Sequence, residues 1–365
     1  MKQLFLKIAS LIYGAGIRLR HLMFDTGMLH STEYDIPIIC VGNITVGGTG
    51  KTPTVELLVA HFSKTHNVAV LSRGYGRVTK GYREVEISDS YRDVGDEPLQ
   101  IKRKYPSVAV VVCEKRTYGI ERIAEEHPDV NLIIMDDGFQ HRYVKPFINI
   151  IMVDATRPVE RDFLLPYGQL RDTIASLRRA HYFLVTKCPD DMTPIDARIM
   201  RKVLVQAPYQ SLYFTKVIDG DVRPVFGEVK GAVKYGSEVI AMCGIGNNEV
   251  FIDGLKRKYD VVRTLEFEDH HSYRIGDLKL MQRTLDEHPK AVIITTEKDA
   301  VKLFNSSKIP SAVRERMFYE NVRMVFTDNL GGEFLGKLDN DLKQRNNGTY
   351  TVSYTHLTLP TNREV

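Results

Sequence analysis

The octapeptide Thr45-Val46-Gly47-Gly48-Thr49-Gly50-Lys51-Thr52 stands between a short apolar run, Ile38-Ile39-Cys40-Val41, and a helix-compatible stretch from Pro53 to His61. Strand, glycine-rich turn and helix in that order converge backbone N–H groups, a helix N-terminus and one lysine on a polyphosphate. They commit this part of the chain to an α/β fold that binds a nucleotide. In such a loop Lys51 contacts the β and γ phosphates and Thr52 offers its hydroxyl to Mg2+. Gly47, Gly48 and Gly50 let the backbone of Thr45, Val46 and Thr49 approach the phosphates. Pro53 fits the first helical turn, where no N–H partner is needed. The pattern departs from the usual phosphate loop at Thr45, where glycine is common.

Further apolar, β-branched runs at Val68-Leu71, Val108-Val112, Leu132-Met135, Ile148-Val153 and Phe183-Val185 alternate with helix-compatible segments. Strands apolar on both faces point to a mostly parallel sheet covered by helices. A second series, Val239-Met242, Val261-Leu265, Ala291-Thr295 and Val322-Phe326, with a helix from Asp277 to Glu287, predicts a second, smaller α/β unit. Between the two, around 205–230, Pro208, Gly220, Pro224 and Gly227 are expected to interrupt any long element. The tail from about 346 is Thr-rich and aperiodic, and is expected to be disordered or non-native.

The 365 residues are 43% hydrophobic and 26% charged, enough for two packed units. A net charge of +4 is too small to imply nucleic-acid binding, so any useful positive field must be local. It is local: Lys2, Lys7, Arg18, Arg20 and His21 all precede the first acid, Asp25. They alternate with Leu4, Phe5, Ile8, Leu11, Ile12, Ile17, Leu19 and Leu22. The uncharged stretch between Lys7 and Arg18 is shorter than the ~18–20 residues of a spanning helix. Two readings stand: an interfacial helix with its apolar face in anionic lipid, or a helix packed on its own domain. Cys40, Cys113, Cys188 and Cys243 lack metal-ligand spacing and read as buried thiols.

An Mg2+-nucleotide site needs a carboxylate facing the loop, and the run Leu132-Ile133-Ile134-Met135-Asp136-Asp137-Gly138 places two at a strand's carboxyl end. Polar clusters follow or precede other strands: Ser72 to Arg77, Gly95-Asp96-Glu97-Pro98, Glu114-Lys115-Arg116 and Leu165 to Asp172. Transfer to an alcohol requires a proton acceptor. Asp96 from the first half and His270, within Asp269-His270-His271, could form a dyad across a cleft between the units. The main rival is a regulatory ATPase or GTPase switch, which shares the Gly-Gly-Thr-Gly-Lys-Thr loop. Thr186-Lys187 faintly resembles its base-recognition element.

The motifs Val41-Gly42-Asn43, Ser72-Arg73-Gly74-Tyr75-Gly76, Gly95-Asp96-Glu97-Pro98, Asp136-Asp137-Gly138-Phe139-Gln140-His141, Asp269-His270 and Thr296-Glu297-Lys298-Asp299-Ala300-Val301-Lys302, with the loop, resemble the tetraacyldisaccharide 4'-kinase family. The resemblance implies a P-loop NTPase-like three-layer α/β/α sandwich and a second, smaller α/β domain, joined by a short two-stranded linker. It implies transfer of the γ-phosphate of ATP to the 4'-hydroxyl of a tetraacyldisaccharide 1-phosphate, a lipid A precursor, at the cytoplasmic face of the inner membrane. By the same resemblance Asp96 is the catalytic base with His270 as partner, and Arg116 and Arg171 bind phosphate. Glu97, Asp136 and Asp137 serve Mg2+ together with Thr52. The expected division is 1–24 as membrane-interfacial helix, 25–208 as P-loop kinase domain, 209–330 as smaller domain with linker strands, and 331–365 as a C-terminal segment. Neither nucleic acid nor a protein partner is expected.

Overall fold

The computed structural model of the chain describes residues 1–227, 233–246, 248–269, 271–306 and 308–346. Helix α1 (Lys2–Asp25) comes first. The P-loop unit then alternates β1 (Ile38–Gly42), α2 (Lys51–Phe62), β2 (Val68–Ser72), β3 (Arg83–Glu84), α3 (Tyr91–Val94), α4 (Asp96–Lys104), β4 (Ala109–Val112), α5 (Arg116–Glu126), β5 (Leu132–Asp136), β6 (Ile148–Asp154), β7 (Tyr182–Thr186) and α6 (Pro194–Leu204). The second unit contains β8 (Ser211–Pro224), β9 (Glu238–Cys243), α7 (Asn248–Lys256), β10 (Asp260–Glu266), α8 (Ile275–Glu287), β11 (Val292–Thr296), α9 (Glu297–Leu303), α10 (Ser311–Glu315) and β12 (Met317–Phe326). Helix α11 (Gly331–Asn346) closes the described chain.

Among the described residues twelve strands form one continuous sheet in the order β10-β9-β11-β12-β8-β7-β6-β1-β5-β2-β4-β3. Strand β1 lies between β5 and β6, parallel to both, with Val41 opposite Asp136. The phosphate loop therefore leaves the middle of the sheet, beside the acid-tipped strand, at the carboxyl edge where α/β sheets bind ligands. The central strands are buried on both faces, which explains their unbroken apolar runs. One face is covered by α2, α4 and α11 and the other by α5 and α6, giving two apolar layers. The layers of the second unit centre on Met242, Met281 and Ile293 on one side and on Ala241, Leu255 and Ile294 on the other.

Strand β8 corrects the expectation that residues 205–230 hold no long element. It runs 14 residues, straight through Gly220 to Pro224. Its first four residues, Ser211 to Phe214, pair parallel with β7 and the remainder antiparallel with β12, so one strand joins the two units. Gly220 is compatible because the partner strand slips register between Glu320 and Val322, which brings the Asn321 side chain against it. A Cβ at 220 would lie 1.9 Å from Asn321 Oδ1. The glycine thus accommodates a bulge rather than ending the strand.

Helix α11 falls in the segment that sequence assigns to neither unit, and it returns to the P-loop unit. Phe334, Leu338 and Leu342 enter the first apolar layer, His61 pairs with Asp339 at 3.0 Å, and Tyr213 donates to Glu333 at 3.1 Å. The expectation about the tail beyond Asn346 lies outside the described residues. All four cysteines are buried free thiols.

Candidate active site

The loop is shaped by its neighbours as much as by its glycines. Gly47 and Gly50 adopt φ of 94° and 85°, a region that side chains rarely reach; Gly50 is also the residue from which α2 starts. Asn43 Nδ2 donates to Thr49 Oγ1 at 2.8 Å, and Thr186 Oγ1, at the end of β7, donates to Thr49 O at 3.0 Å. Residues 169–171 run beside the loop's entry: Val46 N donates to Gln169 O at 2.9 Å and Arg171 N to Ile44 O at 2.8 Å. Arg157 braces the far side, donating to Gln169 Oε1 at 2.6 Å and to Asp154 Oδ2 at 2.9 Å.

Lys51 opens α2, with Nζ 3.5 Å from Asn43 Oδ1 and 3.8 Å from Asp137 Oδ1. Arg171 donates to both oxygens of Asp137, at 2.9 Å to Oδ2, and also to Asn43 Oδ1. Lys51, Asp137 and Arg171 are therefore brought together. Burial alone would raise Asp137; the Arg171 hydrogen bonds and the Lys51 charge outweigh it and bring the carboxyl down to about 2. Asp137 itself turns with φ of 49°, uncommon for a residue other than glycine.

Asp136 has the opposite environment. It is 2% exposed, with Oδ2 accepting from Ser72 Oγ at 3.0 Å and Oδ1 buried without a partner. Burial and the neighbouring Asp137 raise its pKa. Glu97, at the second position of α4, is pushed up to about 7 by burial, then by Asp136 and Asp96. A crowd of carboxyls held at this cost, one oxygen orphaned, is a donor set suited to a hard divalent cation. Thr52 sits at the second position of α2, behind Lys51.

Asp96 begins α4 after Gly95, whose φ of 95° permits the turn between α3 and α4. It is buried, and its Oδ1 accepts from Glu97 N at 3.0 Å. Across from it, Lys298 of α9 lies 3.8 Å from Asp96 Oδ2 and 3.8 Å from Asp269 Oδ1. The two units thus meet at the base candidate. His270 lies outside the described residues.

Arg116, at the start of α5, is buried and donates to Cys113 O at 2.5 Å and Asp136 O at 3.3 Å. Burial lowers its pKa against the pull of Asp136 and Asp137. Its Nε is buried without a partner. Sequence reasoning assigned no task to Asn43, Ser72 or Lys298, although all three lay in quoted motifs. Their position at strand ends or at the start of a helix was the available signal; the contact each makes was not. Thr186 and Lys187, quoted for the rival switch, bind inward instead, to Thr49 O and to Asp154 at 2.7 Å.

Helix α1 lies along this site and packs on its own domain, as one of the two readings of residues 1–24 expects. One edge docks: Ser10 donates to Leu164 O at 2.7 Å, Tyr13 to Arg171 O at 3.1 Å, Arg20 to Gln140 O at 3.0 Å, and His21 lies 2.7 Å from Asp172. Gly14 permits that approach, since a Cβ there would meet Leu164 at 2.8 Å. The rest is open and apolar: Phe5, Leu11 and Ile12 are 71%, 72% and 69% exposed. Among the described residues no helix is long and apolar enough to cross a membrane.

Comparison with known proteins agrees with this geometry. The family model described as Tetraacyldisaccharide-1-P 4'-kinase matches residues 2–339. The chain is 42% identical to the tetraacyldisaccharide 4'-kinase of Phocaeicola vulgatus over 302 residues, covering 80% of this chain and 82% of that one. It is 39% identical to that of Porphyromonas gingivalis strain W83 over 344 residues, 90% of this chain and 96% of that one. Among solved structures, LpxK from Aquifex aeolicus in complex with ATP superposes with a TM-score of 0.70 at 29% identity, over 93% of this chain and 99% of that chain. With the phosphate loop, the paired aspartates and this full-length similarity in agreement, the chain belongs to the tetraacyldisaccharide 4'-kinase family and is a kinase of lipid A 4'-phosphorylation.

Proposed function

We propose that the chain transfers the γ-phosphate of ATP to the 4'-hydroxyl of tetraacyldisaccharide 1-phosphate, with Asp96 accepting the hydroxyl proton. The observation that carries this reading is the convergence of two kinds of group on one crevice. Lys51 and Arg171 form a cationic lining on the loop side, joined through Asp137, and Glu97, next to the buried Asp96 at the start of α4, lies within reach of the charges of Lys51, Asp136 and Asp96. Phosphoryl transfer asks a protein mainly for position and charge. Lys51 and Arg171 draw the anionic donor toward the loop, and Asp137 keeps both cations in place before it arrives. As the hydroxyl oxygen bonds to phosphorus and the bond to ADP breaks, Asp96 takes the proton. His270 is the partner the resemblance gives Asp96. Arg116, buried behind Asp136, holds the carboxyl end of β5 and offers a further positive charge.

The orphaned Oδ1 of Asp136 supports Mg2+ binding by Asp136, Thr52 and Glu97, with Asp137 adjoining. The ion would neutralise charge building on the phosphates. The docked, apolar α1 supports a peripheral seat at the cytoplasmic face of the inner membrane: its open face lies in the lipid boundary while its other edge touches Arg171 and Asp172. An acylated acceptor held in the same boundary would then reach the crevice without leaving the membrane.

The test is transfer of labelled γ-phosphate from ATP to the disaccharide 1-phosphate, with the position of the new phosphate assigned on the product. Label at the 4' position is the expected outcome. Release of inorganic phosphate at a rate indifferent to the disaccharide would instead indicate the switch.

A further inference from the structure

The stretch from Thr296 to Lys302 carries four charges, and most of them serve the fold. Thr296 caps α9, accepting from Asp299 N at 3.1 Å. Asp299 accepts from Gly244 N at 2.8 Å and from Lys302 at 3.0 Å, with both side chains almost wholly enclosed. Glu297 lies 3.5 Å from Lys104, which also donates to Glu56 at 2.6 Å, and so ties α9 to the C-terminal end of α4. Next to it, Arg103 donates to Asn305 at 2.7 Å and stacks on Phe304 at 4.1 Å, and Asn305 donates to Asp89 O at 2.6 Å. The seam between α4 and α9 is therefore held at several points that do not involve Lys298. Lys298 is partly open to solvent and points to the other end of the seam, to Asp96 and Asp269.

We propose that Lys298 is a positioning residue whose ammonium, presented by the second unit, holds the Asp96 carboxylate toward the acceptor hydroxyl. The inference rests on the reading of Asp96 as base. Asp96 Oδ1 accepts from the backbone of its own helix, and Oδ2 lies 3.8 Å from Lys298. Asp96 and Asp136 both act on Glu97 as like charges, so like charge presses on Asp96 in turn. A cation 3.8 Å from Oδ2 opposes that pressure. Because the cation belongs to α9 and the acid to α4, the base is held in place by contact between the two units.

The experiment compares Lys298→Gln, Lys298→Cys, and Lys298→Cys alkylated with bromoethylamine to regenerate an ammonium. The native cysteines are all buried, which favours alkylation at position 298. Each is assayed for kcat and for KM toward ATP, in the native and the Asp96→Ala backgrounds, with thermal melting as the check on folding. Loss of the ammonium should lower kcat ~10-fold or more while KM for ATP stays within ~2-fold, since the group acts on the base and not on the nucleotide. Aminoethylation should restore most of the loss. In the Asp96→Ala background, Lys298→Gln should cost less than ~2-fold, because a residue acting through Asp96 has nothing left to position. An equal fractional loss in both backgrounds, or no recovery on alkylation, overturns the inference. If Lys298→Gln does not fold, the Cys variant before and after alkylation decides the matter within one preparation. If Asp96→Ala itself keeps normal turnover, the base reading fails first; if it is inactive while Lys298→Gln is normal, only the role of Lys298 falls.

Discussion

Arg171 Nη1 donates to Asp137 Oδ2 at 2.9 Å, while Lys51 Nζ stands 3.8 Å from Oδ1 of the same carboxylate. One acid thus restrains two cations, one in the phosphate loop and one on the segment beside its entry. Arg171 is itself placed by residues 169–171 running beside the loop's entry, so the restraint belongs to the backbone of that segment as well as to the side chains. Arg171→Ala should raise KM for ATP by roughly 10-fold, the scale of a charge-assisted hydrogen bond lost at a partly buried site. Arg171→Lys should recover only part, because an ammonium cannot span both Asp137 and Asn43. Steady-state kinetics at varied ATP checks this, and an unchanged KM would remove Arg171 from nucleotide binding.

Asp96 is read as the base and not as a phosphate ligand, so its removal should separate chemistry from binding. For Asp96→Asn, kcat should fall by ~10²-fold or more, the usual cost of a lost general base. Nucleotide affinity, measured by titration with a non-hydrolysable ATP analogue, should stay near the native value. Turnover within a few-fold of native would assign the proton acceptor elsewhere.

The open face of α1 should be what binds lipid. Leu11→Glu with Ile12→Glu places two charges on side chains that are 72% and 69% exposed and touch none of the docking contacts. Co-sedimentation with anionic vesicles should drop ~10-fold or more, from lost apolar burial and from charge repulsion together. Turnover on acceptor dispersed in detergent should persist. Undiminished vesicle binding would mean that another surface carries the attachment.

Acid should destabilise the P-loop unit through His181. The ring is 5% exposed, and its Nδ1 accepts from Asn149 N at 2.9 Å, so it is held neutral; burial pushes its pKa down from 6.5 to about 4. Below pH 6.5 the unfolded chain takes up a proton that the folded chain refuses, so stability falls from about pH 6.5 to about pH 4 by as much as ~3 kcal/mol. His181→Gln should flatten that slope in urea unfolding compared between pH 7 and pH 4.5, even though it lowers stability at pH 7. An identical slope in the variant would place the acid sensitivity elsewhere.

Much of the first unit was legible because its signals are local. A strand buried on both faces must be apolar throughout, and a phosphate loop needs glycine where φ is positive, as at Gly47 and Gly50. The acids at the end of β5 could be placed in the crevice from their position alone, since the register of parallel strands brings all carboxyl ends to one edge. Strand β8 was not legible. Gly220 and Pro224 are breakers by local rule, yet the bulge at Asn321 on the partner strand leaves space for nothing larger than Gly220, and Pro224 falls at the strand's last position.

By itself, then, the amino-acid sequence determined a P-loop α/β chain, because helix period, strand burial and loop chemistry act over a few neighbouring residues; the resemblance to the tetraacyldisaccharide 4'-kinase family came from its motifs, such as Asp136 to His141. Tertiary structure alone decided that α11 returns to the first unit, that α1 docks by one edge and leaves its apolar face open, and that Asp137 rather than Asp136 takes Arg171. It also brought Lys298 to Asp96, 202 positions away in the chain. Those outcomes depend on which distant surfaces meet, and on the desolvation and charge pairing that follow when they do, neither of which any short stretch of residues specifies.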